Sequence, residues 1–299
     1  MKKTTFLIIF SLIFFFSSPL VKAQESGSII NLSIVRSAYS GGRLYAPMLI
    51  GQFQGKMRVD TGASSSRVSP APWNKDAPII GSSKSLGVSG KFARCDDVRL
   101  PKITMKSAAG PDVGRVNYLV TRCAGKQEDD LLGLDFFRGG YFVIDSKRHQ
   151  IQFLSGPSAK TPQYFLKPLG SEKKLMAIDI KIGDLNREGL IDSGAQISAV
   201  DRRFVDAHPE LFVFVKSGAR ASDASGKPLM TKIYKVKLLD LGDGRIIRGL
   251  YVLVYDFALL REEIGEQTPF ILGFNLIDKF NWRFDLRTNM PPRWEAMPR

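Results

Sequence analysis

Apolar and polar residues alternate with a period of two along much of the chain. Ile178, Ile180 and Ile182 are separated by Asp179 and Lys181, and Tyr234, Val236 and Leu238 by Lys235 and Lys237. Met57 and Val59 follow Lys56 and Arg58 in the same rhythm. Successive side chains of an extended strand point to opposite faces, so these segments predict half-buried β-strands. Gly242-Asp243-Gly244 supplies a turn. Helical spacing is scarce. Val200 to Ala207 predicts a short helix ended near Pro209, and the residues after Gly133 and Gly273 can start others. The pattern predicts an all-β protein.

The pattern also repeats once. Met57-Arg58-Val59-Asp60-Thr61-Gly62-Ala63-Ser64-Ser65-Ser66 matches Gly189-Leu190-Ile191-Asp192-Ser193-Gly194-Ala195-Gln196-Ile197-Ser198. Further on, Ser89-Gly90-Lys91 is echoed by Ser225-Gly226-Lys227, Leu131-Leu132-Gly133-Leu134-Asp135-Phe136 by Ile271-Leu272-Gly273-Phe274-Asn275-Leu276, and Phe142-Val143-Ile144-Asp145 by Trp282-Arg283-Phe284-Asp285. Four features in the same order predict a duplicated domain. The small, polar stretch Ser155–Lys160 fits a linker between the copies. The expected lobes are residues 24–157 and 158–299.

The first residues stand outside this scheme. Lys2 and Lys3 precede an apolar run from Phe6 to Phe16, and Val21 and Ala23 are small residues suited to cleavage before Gln24. Residues 1–23 therefore read as a signal peptide, which implies an exported chain, periplasmic or secreted. No later segment is long and apolar enough for a stable membrane span. Of the 299 residues, 44% are hydrophobic and 24% charged, a globular mixture rather than a disordered one. The formal charge of +14 is spread without a basic run or aromatic-interleaved strip, so nucleic-acid binding is not expected. Two histidines and two cysteines exclude a multi-cysteine metal site and a dense disulfide framework. In an oxidising compartment Cys95 and Cys123 fit either one disulfide or two buried thiols. His149 reads as a surface residue, His208 as a capping or exposed residue near a helix end, Asp129-Asp130 as a solvated acidic pair, and Phe136, Phe137 and Phe142 as core. Neither a metal nor another cofactor is expected.

Each copy places an aspartate at the end of an apolar strand, followed by a hydroxyl residue, a glycine and an alanine. Gly62 and Gly194 permit a tight turn and a close backbone approach. Approximate two-fold packing of the copies would bring Asp60 and Asp192 together on the axis. Two adjacent carboxyls cannot both ionise easily, so one keeps a proton and the other loses it. That pair can act as general acid and general base without a histidine or metal.

These motifs resemble those of the retropepsin-like and pepsin-like aspartic protease superfamily. Asp60-Thr61-Gly62-Ala63 goes with Leu131-Leu132-Gly133, and Asp192-Ser193-Gly194-Ala195 with Ile271-Leu272-Gly273. The resemblance spans nearly all of residues 24–299. It implies two closed β-barrel lobes about a pseudo-two-fold axis, with a cleft between them. It further implies that Asp60 and Asp192 are the catalytic dyad, that Thr61 and Ser193 hydrogen-bond across the lobe interface, and that Gly133 and Gly273 lie in crossed loops beneath the aspartates. Gly90 and Gly226 would sit in flaps over an extended polypeptide substrate. The implied activity is that of an exported, monomeric aspartic endopeptidase. The alternative is a non-catalytic module that grips extended peptides in the envelope.

Overall fold

The computed structural model describes residues 27–86, 92–124, 129–154, 161–222 and 228–299. The expected signal peptide, the Ser155–Lys160 linker with its boundary at 157/158, and the flap glycines Gly90 and Gly226 lie outside the described residues.

Strands dominate, as the alternation predicts, and they build the same sheet twice. In the first lobe the order across the sheet is Ser33–Arg36, Gly42–Ile50, Phe53–Asp60, Leu131–Gly133, Arg67–Val68, Val113–Arg122, Phe92–Met105, Ile79–Leu86. In the second it is Lys167–Leu169, Leu175–Ile182, Leu185–Ile191, Phe270–Leu272, Ser198–Asp201, Ile246–Tyr255, Pro228–Asp240, Phe212–Ser222. Each sheet curls until non-neighbouring strands pair, Met48–Ile50 with Ile103–Met105 and Lys181–Ile182 with Leu239–Asp240. This is a two-lobed, aspartic-protease-like β fold.

A third sheet joins the lobes. It has six strands, in the order Ser28–Asn31, Gln150–Phe153, Tyr141–Asp145, Asn281–Asp285, Arg293–Met297, Tyr164–Phe165. The central antiparallel pair sets Phe142 opposite Phe284, Val143 opposite Arg283 and Ile144 opposite Trp282. Val143 and Arg283 are equivalent positions of the repeat, and the flanking pairs exchange equivalents, as a two-fold axis requires. Phe142, Ile144, Trp282 and Trp294 are buried in a core that runs on into Val59, Leu132, Ile191 and Leu272. Phe136 and Phe137 belong to the same core. The floor of the two lobes is thus one continuous apolar layer.

The short helices follow the glycines as expected, at Leu134–Phe137 and Phe274–Ile277. The helix expected over Val200 to Ala207 begins later, at Arg202, because Val200 is buried in a strand paired with Val254 and Phe270. Asp201 caps it by accepting the Arg203 N–H at 3.2 Å. The helix Ala258–Ile264 has no amphipathic signal strong enough to announce it. Its Arg261 is tied to Asp201 at 2.6 Å and Asp256 at 2.8 Å.

Cys95 and Cys123 form a disulfide with a sequence separation of 28 residues. It continues the pairing of Asp96 with Arg122 and fastens the outer hairpin of the first lobe to the chain after Arg122. Closing such a loop removes conformations from the unfolded chain. The double variant Cys95→Ala/Cys123→Ala should lose about 2–4 kcal/mol of unfolding free energy in urea denaturation; an unchanged midpoint would contradict this.

Candidate active site

The strand Phe53–Asp60 ends at Asp60, and the strand Leu185–Ile191 ends just before Asp192. Each lies parallel to the buried strand of its own lobe that ends at, or just before, the later glycine. Asp60 sits beside Gly133, and the Asp192 N–H donates to Leu272 O at 3.0 Å. The two Asp-Thr/Ser-Gly loops therefore leave their sheets at matching points and face each other.

Four buried hydrogen bonds join the loops. Thr61 N–H donates to Ser193 Oγ at 3.1 Å, and Ser193 N–H to Thr61 Oγ1 at 3.0 Å. Thr61 Oγ1 donates to Ile191 O at 3.0 Å, and Ser193 Oγ to Val59 O at 2.8 Å. Each hydroxyl accepts from one backbone group of the opposite lobe and donates to another. Only a side chain that does both can complete the set.

The same approach seats each carboxyl against the other lobe's glycine. A Cβ at Gly62 would fall 2.3 Å from Asp192 Cγ, and one at Gly194 2.2 Å from Asp60 Cγ. These glycines are required by the opposing aspartate rather than by the turn. Gly62 N–H donates to Asp60 Oδ1 at 3.1 Å. Gly194 and Ala195 N–H donate to Asp192 Oδ1 at 2.9 and 3.0 Å. Burial first and the neighbouring Asp60 second push the Asp192 carboxyl up from its ordinary range, to about 7. A carboxyl that keeps its proton to about neutral pH thus stands next to a second carboxyl at the meeting of the lobes. A pair in that state can give a proton to one atom and take one from another in a single step.

Behind the aspartates a second layer also repeats. Ser66 Oγ accepts the Gly133 N–H at 2.9 Å and donates to Asp135 at 3.0 Å, and Ser198 Oγ accepts the Gly273 N–H at 3.0 Å and donates to Asn275 at 2.8 Å. Gly133 and Gly273 have room for no side chain. A Cβ would lie 2.5 Å from Ser65 C in the first and 2.7 Å from Ala195 O in the second. Tyr118 adds its hydroxyl to Ser66 at 2.8 Å, and burial raises both Tyr118 and Asp135 above their ordinary ranges. Ser66, Ser198, Asp135 and Asn275 were part of the sequence repeat without an assigned task. Their recurrence at matched positions was the available signal.

All eight expected central residues, Asp60, Thr61, Gly62, Gly133, Asp192, Ser193, Gly194 and Gly273, thus meet in one place. The pair Asp129-Asp130, expected to be merely solvated, is half-buried and held by partners. Asp129 accepts the Tyr45 hydroxyl at 3.0 Å and lies 3.5 Å from Arg58, whose guanidinium reaches 3.8 Å from Asp60. Asp130 accepts the Ser69 N–H at 2.8 Å. The reason is local: Arg58 N–H donates to Asp130 O at 2.8 Å, which draws the acidic pair onto the strand that carries Asp60.

Solved structures share this architecture. Basic 7S globulin from soybean superposes with a TM-score of 0.53 at 11% identity, over 90% of this chain and 95% of the globulin. Conglutin gamma, a basic 7S globulin from lupine seeds, gives a TM-score of 0.55 at 11% identity over 91% and 96%. The structure described as edgp gives 0.54 at 11% identity over 91% and 95%. The shared feature is the fold. At this identity the likeness carries the arrangement of strands and lobes and no assignment of activity. The sequence matches no family profile and no curated protein.

Two outcomes test the site as built. Thr61→Val should cost roughly 2–4 kcal/mol in urea unfolding, because it strands the Ser193 N–H and the Ile191 carbonyl in a buried interface. Thr61→Ser keeps the hydroxyl and should recover most of that loss; equal stability of the Val and Ser variants would contradict the account. The raised Asp192 also has a pH consequence. Above the ordinary carboxylate value of 3.8 the unfolded chain has released a proton that the folded chain keeps until about 7. This group's contribution to stability is therefore greatest in acid, falls as pH rises through that window and is flat beyond it. Partly buried Asp130 and Asp135, both raised, add slopes of their own, so the reading is the difference from Asp192→Asn, which should fall less steeply from acid to neutral pH. Parallel curves would contradict a shared proton.

Proposed function

We propose that the chain is an aspartic endopeptidase that hydrolyses peptide bonds between Asp60 and Asp192. The observation that carries this is the pairing of the two carboxyls, each set on the other lobe's glycine and locked there by the Thr61–Ser193 exchange, with Asp192 raised by burial and by Asp60. The ionised member takes a proton from water as the water oxygen bonds to the scissile carbonyl carbon. The protonated member gives its proton to the carbonyl oxygen. Collapse of the tetrahedral species breaks the C–N bond, with a proton passed to the leaving amine. The substrate is an extended polypeptide lying between the lobes, where a strand-like backbone can bond to loop edges and alternate side chains can enter pockets. A single chain supplies both halves, so a monomer suffices. The basic, cysteine-paired chain and its amino-terminal apolar run support an exported enzyme, periplasmic or secreted. Among the described residues no helix is long and apolar enough to cross a membrane.

A second reading has one observation in its favour. The solved structures described above carry globulin names on the same fold. A protease-like module that binds extended peptides without cutting them would have the same lobes.

The two readings separate on a peptide library incubated with the chain between about pH 3 and 8. Cleavage should be lost in Asp60→Asn and in Asp192→Asn, each by at least ~1,000-fold, the scale of general acid–base loss. It should also fade in the wild type as pH rises through about 7, where the second proton leaves the pair. Cleavage that persists in both variants would refute the dyad. Peptide binding without cleavage at any pH would establish the binding module instead.

A further inference from the structure

The duplication is broken beside the aspartates. Two residues before Asp60 stands Arg58; the equivalent residue of the second lobe is Leu190, buried in an apolar cluster with Ile271 and Phe257. Residues two apart on a strand share a face, so Arg58 lies on the side of Asp60. Its side chain is only 11% exposed, with Nη2 3.8 Å from Asp60 Oδ2 and Nη1 3.5 Å from Asp129 Oδ2.

The charged and titratable groups around it come from each packed element. The strand Gly42–Ile50 gives Arg43, 3.4 Å from Asp129, and Tyr45, whose hydroxyl bonds Asp129 at 3.0 Å. Lys56, on the strand of Arg58, stands over the Tyr45 ring at 4.5 Å. The segment before Leu131 gives Asp129 and Asp130, the latter held by Ser69 N–H and influenced by Arg67. The second lobe gives Asp192. A guanidinium stays charged at any pH the fold tolerates, and a buried one requires a carboxylate opposite it. Arg43 and Arg58 are two such charges. Asp129 lies between them and Asp60 lies on the far side of Arg58, so two carboxylates balance two cations. With Arg67 favouring the charge on Asp130, Asp192 is the carboxyl left without a cation of its own.

We propose that Arg58 is a positioning residue that assigns the roles of the pair: it holds the negative charge on Asp60 and leaves the proton on Asp192. The proposal rests on the peptidase reading for its catalytic meaning. Asp60 then takes the proton of the attacking water, and Asp192 protonates the carbonyl oxygen. When the C–N bond breaks, Asp60 passes its proton to the amine and Asp192 recovers one from the hydroxyl of the tetrahedral carbon. Both carboxyls end as they began.

Because a cation favours every ionised form near it, Arg58 holds down both ionisations of the pair. Arg58→Met should move both limbs of the pH–rate profile to higher pH by about one unit or more. Arg58→Lys, which keeps the charge, should leave them near the wild-type positions. A fall in rate with unmoved limbs would reduce Arg58 to a packing residue and overturn the proposal. Carboxyl carbon-13 NMR of wild type at about pH 5 needs neither turnover nor the Met variant. The resonance missing in Asp60→Asn should sit at the ionised position, and the one missing in Asp192→Asn at the protonated position. The reverse assignment, or the two carboxyls alike, would overturn the proposal. A wild type that cuts no peptide but shows the expected NMR pattern would instead defeat the peptidase reading and leave the charge assignment standing.

Discussion

Thr61 and Ser193 exchange hydrogen bonds across the lobe interface, and the site depends on that exchange. Each hydroxyl replaces water for a backbone N–H and a carbonyl that the meeting of the lobes would otherwise bury unpaired. Once these bonds are made, the loops have no freedom to part, and each carboxyl is pressed onto the glycine of the other lobe. Burial there, and the neighbouring Asp60 second, make the Asp192 carboxyl hold its proton. Beneath, the six-stranded sheet obeys the same axis through Val143 and Arg283, so the floor and the site are aligned by one symmetry. Ser66 and Ser198 then pin the loops from behind.

Much of this was legible from the chain alone, for a definite reason. Duplication gives two independent readings of one structural requirement, so residues retained in both copies, such as Asp60 with Asp192 and Thr61 with Ser193, stand out from ordinary turns. Strand alternation was equally legible over Leu175–Ile182, where Ile178, Ile180 and Ile182 are buried and Asp179 and Lys181 exposed. The same rule misled at Arg58. Alternation sorts residues onto two faces and does not say that a polar face meets water; here it meets Asp60 and Asp129. Asp129-Asp130 failed in the same way, because their partners Arg43, Tyr45 and Ser69 lie far away in sequence. The purpose of Gly62 and Gly194 was also half hidden. A sequence can indicate a close approach, but the approaching group belongs to the other lobe.

The differences between the lobes are as informative as the likeness. Asp135 in one is Asn275 in the other, and both bond the same serine position. The disulfide belongs to the first lobe and the helix Ala258–Ile264 to the second. A single chain can differentiate its halves in ways that two identical chains cannot. Arg58 against Leu190 is the substitution with the most direct bearing on chemistry, since it stands beside a pair of carboxyls that symmetry alone would leave equivalent. At 11% identity the globulin structures keep the lobes and sheets. A core tolerates such divergence while apolar volume and pattern persist, whereas the polar exchange at the axis has no apolar substitute.

A difference proton titration tests the central claim most directly. The wild type is compared with the double variant Asp60→Asn/Asp192→Asn under folded conditions. The raised Asp192 predicts that the difference curve contains a proton released only as the solution approaches about pH 7. Two protons released together in the ordinary carboxylate range would mean that Asp60 and Asp192 do not share a site, and would contradict the account.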